Sequence, residues 1–435
     1  MKKVLIITPY FPPSNTADTQ RVRMSLPYYN KFEWEAEIVM VDPKYSDTNK
    51  DYLLVDSIPK NIIIHQVKAF SKKITAKFGL GSLALRSMYY YFNYVNQLLL
   101  NKKFDLILFS TTEFPIMILG AYWKKRFNIP YIIDMQDPWH TEYYQTKPKS
   151  ERPPKYWFSY RLNKYLEPIA MKQVSGLMSV SQAYLDTLTD RYKPIQNIPQ
   201  QVITFGAFPL DFDILKQKTF NSQFKINKEL GIKNIVYIGR GGHDMKPGLS
   251  LLFEAFKNGL KSHKDLFERI KFYFIGTSYA ADGHGKPTIK PIASIFEVDD
   301  YVEEHTNRIA FYDSLYNLNQ ADGLLIIGSE DPQYTASKIY PYMMIQKPLL
   351  ALFHCDSSAY QIIEECTQGT VVKLNQPTHQ AIQDIEEFLV AFIQDTLEAP
   401  QLNWNLFSKY TAENRTEMQC NLFNATLENF RLTKH

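Results

Sequence analysis

Three segments of this 435-residue chain combine residue types and spacings that could do chemistry. Gly239-Arg240-Gly241-Gly242-His243-Asp244-Met245-Lys246 follows Ile235 to Ile238, which reads as a strand. Its glycines permit a tight turn and close backbone approach, and Arg240 and Lys246 offer two cations to a diphosphate leaving group. Breaking a sugar–phosphate bond builds negative charge on the departing group, so fixed cations there lower the barrier. A second segment runs from the apolar stretch Leu324 to Ile327 through Gly328-Ser329 and a polar loop to Ser337-Lys338, where a short helical pattern opens. Strand, loop and helix start leave backbone N–H groups where a phosphate or sugar hydroxyl could meet them. The third segment, Asp134-Met135-Gln136-Asp137-Pro138-Trp139-His140, follows the run Tyr131 to Ile133. Its carboxylates and histidine could act as acid and base or bind hydroxyls. The plainer alternative makes Asp134 and Asp137 loop caps and lets Trp139 pack. Glu113, after Leu106 to Phe109, is a further candidate, with an acid at a helix N-terminus as its alternative.

The elements that position these residues read as two α/β series. Short apolar runs at Val4 to Thr8, Ile38 to Val41, Ile62 to Val67, Leu106 to Phe109, Tyr131 to Ile133, Gly176 to Val180 and Gln201 to Phe205 alternate with helical patterns. Such alternation predicts βαβ units around a parallel sheet. A helix beginning near Thr16 to Asp18 carries Arg21 and Arg23. The pattern loosens over residues 206–227, as expected of a linker. A second series follows, with runs at Ile235 to Ile238, Phe272 to Ile275, Arg308 to Phe311, Leu324 to Ile327 and Leu349 to Phe353. Phe407, Tyr410, Met418, Leu422, Phe423, Leu427 and Phe430 then suggest a helical tail.

Composition narrows the class. The length suits two domains of ordinary size. Cys355, Cys366 and Cys420 are too few for a disulfide framework and lack metal-ligand spacing, which favours a reducing cytoplasm. The apolar start, Val4 to Ile7, is cut short by Pro9, Pro12 and Pro13, and no stretch approaches a membrane span. A formal net charge of +4 is too small to imply nucleic acid. Its distribution says more: no acidic residue lies between Asp56 and Asp105, where Lys60, Lys68, Lys72, Lys73, Lys77, Arg86, Lys102 and Lys103 all fall. Phe70, Phe78, Leu80, Tyr89, Tyr90 and Tyr91 interleave them, and a second basic, aromatic stretch runs from Tyr143 to Tyr165. These are either solvated faces of ordinary helices or a docking surface for an anionic bilayer or a polyanionic acceptor.

Ser337-Lys338-Ile339-Tyr340-Pro341-Tyr342, followed by Gln346-Lys347-Pro348, resembles the donor-binding segment of the GT-B nucleotide-sugar glycosyltransferases of the family 4 group. Members of that group often read S-K-x-x-E-Y and then G-K-P. Arg240 and Lys246 match the arginine and lysine that these enzymes place after the first strand of the second domain. The D-x-x-D-P-W segment resembles one at their interdomain cleft, and Pro9 to Asn15 resembles their opening acceptor loop, without its glycine pair.

The resemblance implies an α/β fold of two Rossmann-like domains facing each other across a cleft, with C-terminal helices crossing back. The expected divisions are an acceptor domain over 1–205, a linker over 206–227, a donor domain over 228–400 and a helical tail over 401–435. The implied donor-binding residues are Gly239, Arg240, Lys246, Gly276, Arg308, Ser329, Glu330, Ser337 and Lys338. Asp137, His140 and Glu113 are the implied catalytic groups, and Ser14, Asn15 and Arg21 the acceptor contacts. The family's ribose-binding glutamate falls on Pro341, whose side chain accepts no hydrogen bond. Ribose recognition must then come from elsewhere, be water-mediated or be absent, and Glu330 is the first candidate to take over a hydroxyl.

The expected activity is transfer of a sugar from a nucleotide-sugar to a glycan or lipid-linked acceptor, with retention and without a metal or further cofactor. The expected location is cytoplasmic, with residues 60–103 as the surface that could meet an anionic membrane. A nucleotide-sugar 2-epimerase of the same architecture and a non-catalytic glycosyltransferase-like scaffold are the alternatives.

Overall fold

Apolar runs in the first half of the chain become strands, and the central ones are buried on both faces, as a parallel sheet demands. They are β1 (Lys2–Ile7), β2 (Trp34–Val41), β3 (Ile63–Val67), β4 (Leu106–Ser110), β5 (Tyr131–Met135), β6 (Gly176–Ser179) and β7 (Gln200–Val202). All pair in parallel, in the order β3-β2-β1-β4-β5-β6-β7. Successive side chains point to opposite faces, so Leu5 and Ile7 join one apolar cluster while Val4 and Ile6 join another. The strand order reverses between β1 and β4, and ligands of doubly wound sheets sit at the carboxyl ends of strands at such a reversal.

The chain is described here by a computed structural model covering residues 1–142, 145, 148–149, 152, 156–217, 220–278, 280, 283–329, 338–367 and 369–433. It divides into unit 1, Met1–Gly206 with Tyr410–His435, and unit 2, Ala207–Lys409. The helix Ala412–Leu432 belongs to unit 1 because it closes that unit's second apolar cluster. Phe423 meets Trp34 edge-on at 5.2 Å and stacks with Tyr29 at 6.2 Å. Gln419 accepts from the Tyr29 hydroxyl at 3.0 Å and donates to Ser25 Oγ at 2.8 Å.

Unit 2 repeats the plan with β8 (Lys233–Ile238), β9 (Ile270–Ile275), β10 (Val302–His305), β11 (Gly323–Ile327), β12 (Leu349–Phe353) and β13 (Thr370–Lys373). The order is β10-β9-β8-β11-β12-β13, all parallel, with the reversal between β8 and β11. Residues 308–311, expected as a strand, are loop and the start of the helix Phe311–Gln320. The true edge strand, β10, reads Val-Glu-Glu-His, because its polar side chains have partners. Glu303 pairs with Lys271 at 2.6 Å, and Glu304 accepts from the backbone N–H groups of Thr288, Ile289 and Lys290. Residues 206–227, expected as a linker, contain the helix Leu210–Gln217, and from Ala207 onward they belong to unit 2. Tyr312 donates to Asp211 at 2.8 Å, and Asp313 accepts from Ser222 Oγ at 2.6 Å and Gln223 N at 3.0 Å.

Candidate functional site

The reversal point of unit 2 brings two sequence-distant segments together. After β8 the chain turns at Gly239 and Arg240, passes a 3₁₀ turn at His243–Met245 and enters the helix Lys246–Ser262. Gly248 lets that helix lie close on β11, since a Cβ there would stand 2.8 Å from Ile327 Cγ2. After β11 the chain reaches Gly328 and Ser329, and it is described again from Lys338, just before the helix Ile339–Ile345. Glu330 and Ser337 lie outside the described residues.

Lys338 meets the β8 loop directly. Its ammonium lies 2.8 Å from the position a Cβ on Gly239 would occupy, so a larger residue there would push the lysine tip aside. Desolvation, reinforced by the positive charges of Arg308 and Arg240, brings the Lys338 pKa down to about 8. Among the described residues no carboxylate pairs with Lys338. An ammonium crowded by cations is relieved by an anion, and a diphosphate supplies that charge. Arg240 is exposed and paired with Asp244 at 2.6 Å. Surface pairs of this kind are worth about 0–1 kcal/mol, so an arriving phosphate can take over the guanidinium. Lys246 is exposed at the first position of its helix.

Gly276 has φ of +75°, a backbone setting that suits glycine. It follows β9 and turns the chain beside Arg308, with its N–H donating to His305 O at 2.8 Å. Ser329 is buried at the end of β11. Pro341 occupies the third position of the helix Ile339–Ile345, where a backbone N–H has no intrahelical acceptor, so the proline costs no hydrogen bond. Tyr342 is a residue to which sequence reasoning gave no role. Its hydroxyl accepts from Ile238 N at 2.9 Å and can donate to Ile238 O at 3.3 Å, fastening the Lys338 helix to the end of β8.

In unit 1 the reversal point is lined by acids. Asp18, also missed in the sequence, is buried and accepts from Thr111 Oγ1 and Thr112 N at 3.1 Å each, spanning the ends of β1 and β4. Asp137 is exposed in the loop after β5. Partial desolvation of its carboxyl, and then the Asp18 charge, push its pKa above the usual carboxylate range.

The structure gives several of the residues singled out in unit 1 internal partners. Arg21 is buried rather than presented to an acceptor. It pairs with Asp134 at 2.7 Å, donates to Ile203 O at 2.7 Å and lies 4.9 Å over the Phe205 ring. Asp134 itself is held by Ser110 and Gln136, which makes it structural. Ser14 is buried and bridges to Lys50, while the Asn15 N–H donates to Asn49 O at 2.9 Å. The Asn15 side chain remains half-buried. Glu113 caps another element: its carboxylate accepts from Ala84 N at 2.7 Å, at the start of the helix Leu83–Asn101. Burial raises its pKa, and the Asp18 charge adds to the rise.

His140 is buried against the Tyr160 ring at 4.9 Å, and its Nε2 has no hydrogen-bond partner among the described residues. Desolvation and the Arg191 charge hold its pKa below the usual histidine value. Its backbone N–H donates to Glu167 at 2.9 Å, and its carbonyl accepts from Arg191 at 3.1 Å. The residue anchors the loop that carries Asp137.

No protein-family model and no curated protein sequence matches the chain. Solved structures do. The N-terminal domain of trehalose-6-phosphate phosphatase from Candida albicans is similar with a TM-score of 0.59 and 13% identity, over 98% of this chain and 97% of that one. A glycosyltransferase from Rickettsia africae gives 0.55 and 12%, over 98% and 99%. Alr3699/HepE from Anabaena, solved with UDP-glucose, gives 0.51 and 14%, over 100% of both chains. Two parallel, doubly wound sheets of seven and six strands, matched over whole chains, define a two-domain GT-B fold. At these identities the likeness carries the fold alone.

Proposed function

We propose that this chain is a glycosyltransferase that takes a sugar from a nucleotide-sugar and transfers it to a glycan or lipid-linked acceptor. One observation supports this most: Lys338 stands over Gly239 at the reversal point of unit 2, with Arg240 and Arg308 contributing charge. That cluster suits the diphosphate of a nucleotide-sugar, whose leaving group gains negative charge as the anomeric bond breaks. UDP-glucose in the Anabaena structure of the same fold is in keeping with a donor of this class. In this reading Gly239, Gly276, Ser329, Glu330, Ser337 and Lys246 complete the donor contacts. Asp137, with its raised pKa, serves the acceptor hydroxyl on unit 1. Retention and independence of metal follow from the family 4 resemblance, as does a role in cell-surface polysaccharide or glycoconjugate synthesis. The protein would work in the cytoplasm, peripheral to the inner face of the plasma membrane. Among the described residues no helix is long and apolar enough to cross a membrane.

A thermal-shift screen against a panel of nucleotide-sugars tests the reading, because a donor that binds the folded state raises its melting temperature. At least one nucleotide-sugar should raise the wild-type Tm, with a smaller rise for Arg240→Ala and Lys338→Ala. No shift with any member of the panel would remove the proposal. Consumption of the donor without any acceptor would point instead to the epimerase.

A further inference from the structure

The first basic, aromatic stretch of the sequence meets Tyr156 to Tyr165 of the second on unit 1, while most of residues 143–155 lie outside the described residues. The segment formed by the helix Lys72–Thr75 and the turn Ala76–Phe78 ends at Gly79, whose Cβ would stand 3.1 Å from Phe158 Cε1. Phe158 belongs to the helix Tyr156–Met171, and its ring touches that of Trp157 at 5.9 Å. Ile74, Phe78 and Trp157 are 63%, 74% and 65% exposed. Lys73, Lys77 and Arg161 are also exposed, and the Arg161 guanidinium lies 5.8 Å over the Trp157 ring.

The structure also removes residues from the surface. Arg86 is buried, donating to Phe70 O and Tyr45 O at 2.8 Å each, so it anchors the base of the segment. Tyr91 is buried as well, and Lys72 is paired with Asp47 at 2.5 Å. What remains exposed on these two adjoining segments is Ile74, Phe78 and Trp157, with Lys73, Lys77 and Arg161 as the neighbouring cations.

We propose that this surface docks the protein on an anionic lipid bilayer. A soluble polyanion would engage the cations and leave Ile74, Phe78 and Trp157 in water. A neutral bilayer would take the apolar tips and gain nothing from Lys73, Lys77 and Arg161. Only an anionic bilayer uses both, with apolar tips at the headgroup boundary and lysines at the charged surface. This inference deepens the peripheral placement proposed above, but it stands on unit 1 alone and is read without any turnover.

Flotation of the full chain with phosphatidylcholine vesicles, and with vesicles also containing phosphatidylglycerol, tests it. Wild type should float with the anionic vesicles only, and less so as salt rises. The pairs Lys73→Glu/Lys77→Glu and Ile74→Ser/Phe78→Ser should each lower partitioning by about tenfold or more, with Tm and nucleotide-sugar binding unchanged. Should one pair fail to fold, the exposed Trp157→Ser variant carries the same expectation. Equal flotation with both vesicle types, or variants that float like wild type, would overturn the proposal. So would binding to soluble polyphosphate that removes wild type from vesicles and is kept by the Ile74→Ser/Phe78→Ser pair, which would identify a polyanion site. Lost flotation with donor binding intact bears on docking alone, while absent donor binding bears on the proposed reaction.

Discussion

An ammonium crowded by Arg308 and Arg240 over Gly239 holds its proton weakly until an anion arrives. Lys338 in the ligand-free protein is charged below pH of about 8 and neutral above it. A bound diphosphate favours the charged form and raises that pKa. In the proposed function, the donor affinity that Lys338 contributes is thus present at low pH and lost as pH rises through about 8. Between pH 7 and 9 the dissociation constant should rise by about tenfold, and Lys338→Arg, charged throughout, should flatten the rise. Calorimetric titrations across that range check both. Asp137 makes a separate prediction, since a carboxyl with a raised pKa suits proton transfer. Asp137→Asn should lower turnover by about a hundredfold or more, with donor affinity unchanged in the same titrations. Sequence reasoning singled out Arg240 and Asp137 because cations and carboxylates soon after apolar runs are local features, and Lys338 because Ser337-Lys338 resembles a family segment. It misplaced Arg21 because nothing local marks a partner as distant as Asp134, and an arginine on a first helix turn reads as exposed by default.

Elements were legible where burial on both faces leaves continuous apolar runs, as in β1, β4, β5, β11 and β12. They were illegible at the edges of unit 2. In β10 the side chains of Glu303 and Glu304 are satisfied by Lys271 and by the Thr288–Lys290 backbone, so the strand carries no apolar signature. The apolar residues 309–312 belong instead to the approach and first turn of the following helix. Tyr342 shows how an element can serve the site without touching a ligand. Its hydroxyl joins the helix Ile339–Ile345 to the end of β8. Tyr342→Phe should cost about 1 kcal/mol in urea unfolding and weaken donor binding by letting Lys338 drift from Gly239, while turnover at saturating donor stays near wild type. Arg21 is held within unit 1 by Asp134 and the Ile203 carbonyl. Arg21→Met leaves Asp134 buried without its cation and should destabilise the unit by about 3–5 kcal/mol. Where the variant remains folded, its KM for acceptor should match wild type; a selectively raised acceptor KM would restore Arg21 to the binding surface.

At the scale of the whole molecule, two repeats of one sheet plan carry different chemistry at equivalent places. The reversal point of unit 2 gathers cations, and that of unit 1 gathers Asp18 and Asp137. The chain returns to unit 1 after completing unit 2, so the core of the first sheet depends on the last helix. Phe423→Ala, which removes the ring packed between Trp34 and Tyr29, should lower the stability of unit 1 by about 3–5 kcal/mol. Donor binding, assigned to unit 2, should survive it. The central claim is that a nucleotide diphosphate binds at the reversal point of unit 2. Calorimetric titration of the nucleoside diphosphate from the best donor, into wild type and into Arg240→Ala/Lys338→Ala, addresses it most directly. The account predicts a dissociation constant raised by about a hundredfold or more in the double variant, with its Tm unchanged. An affinity within twofold of wild type would contradict it.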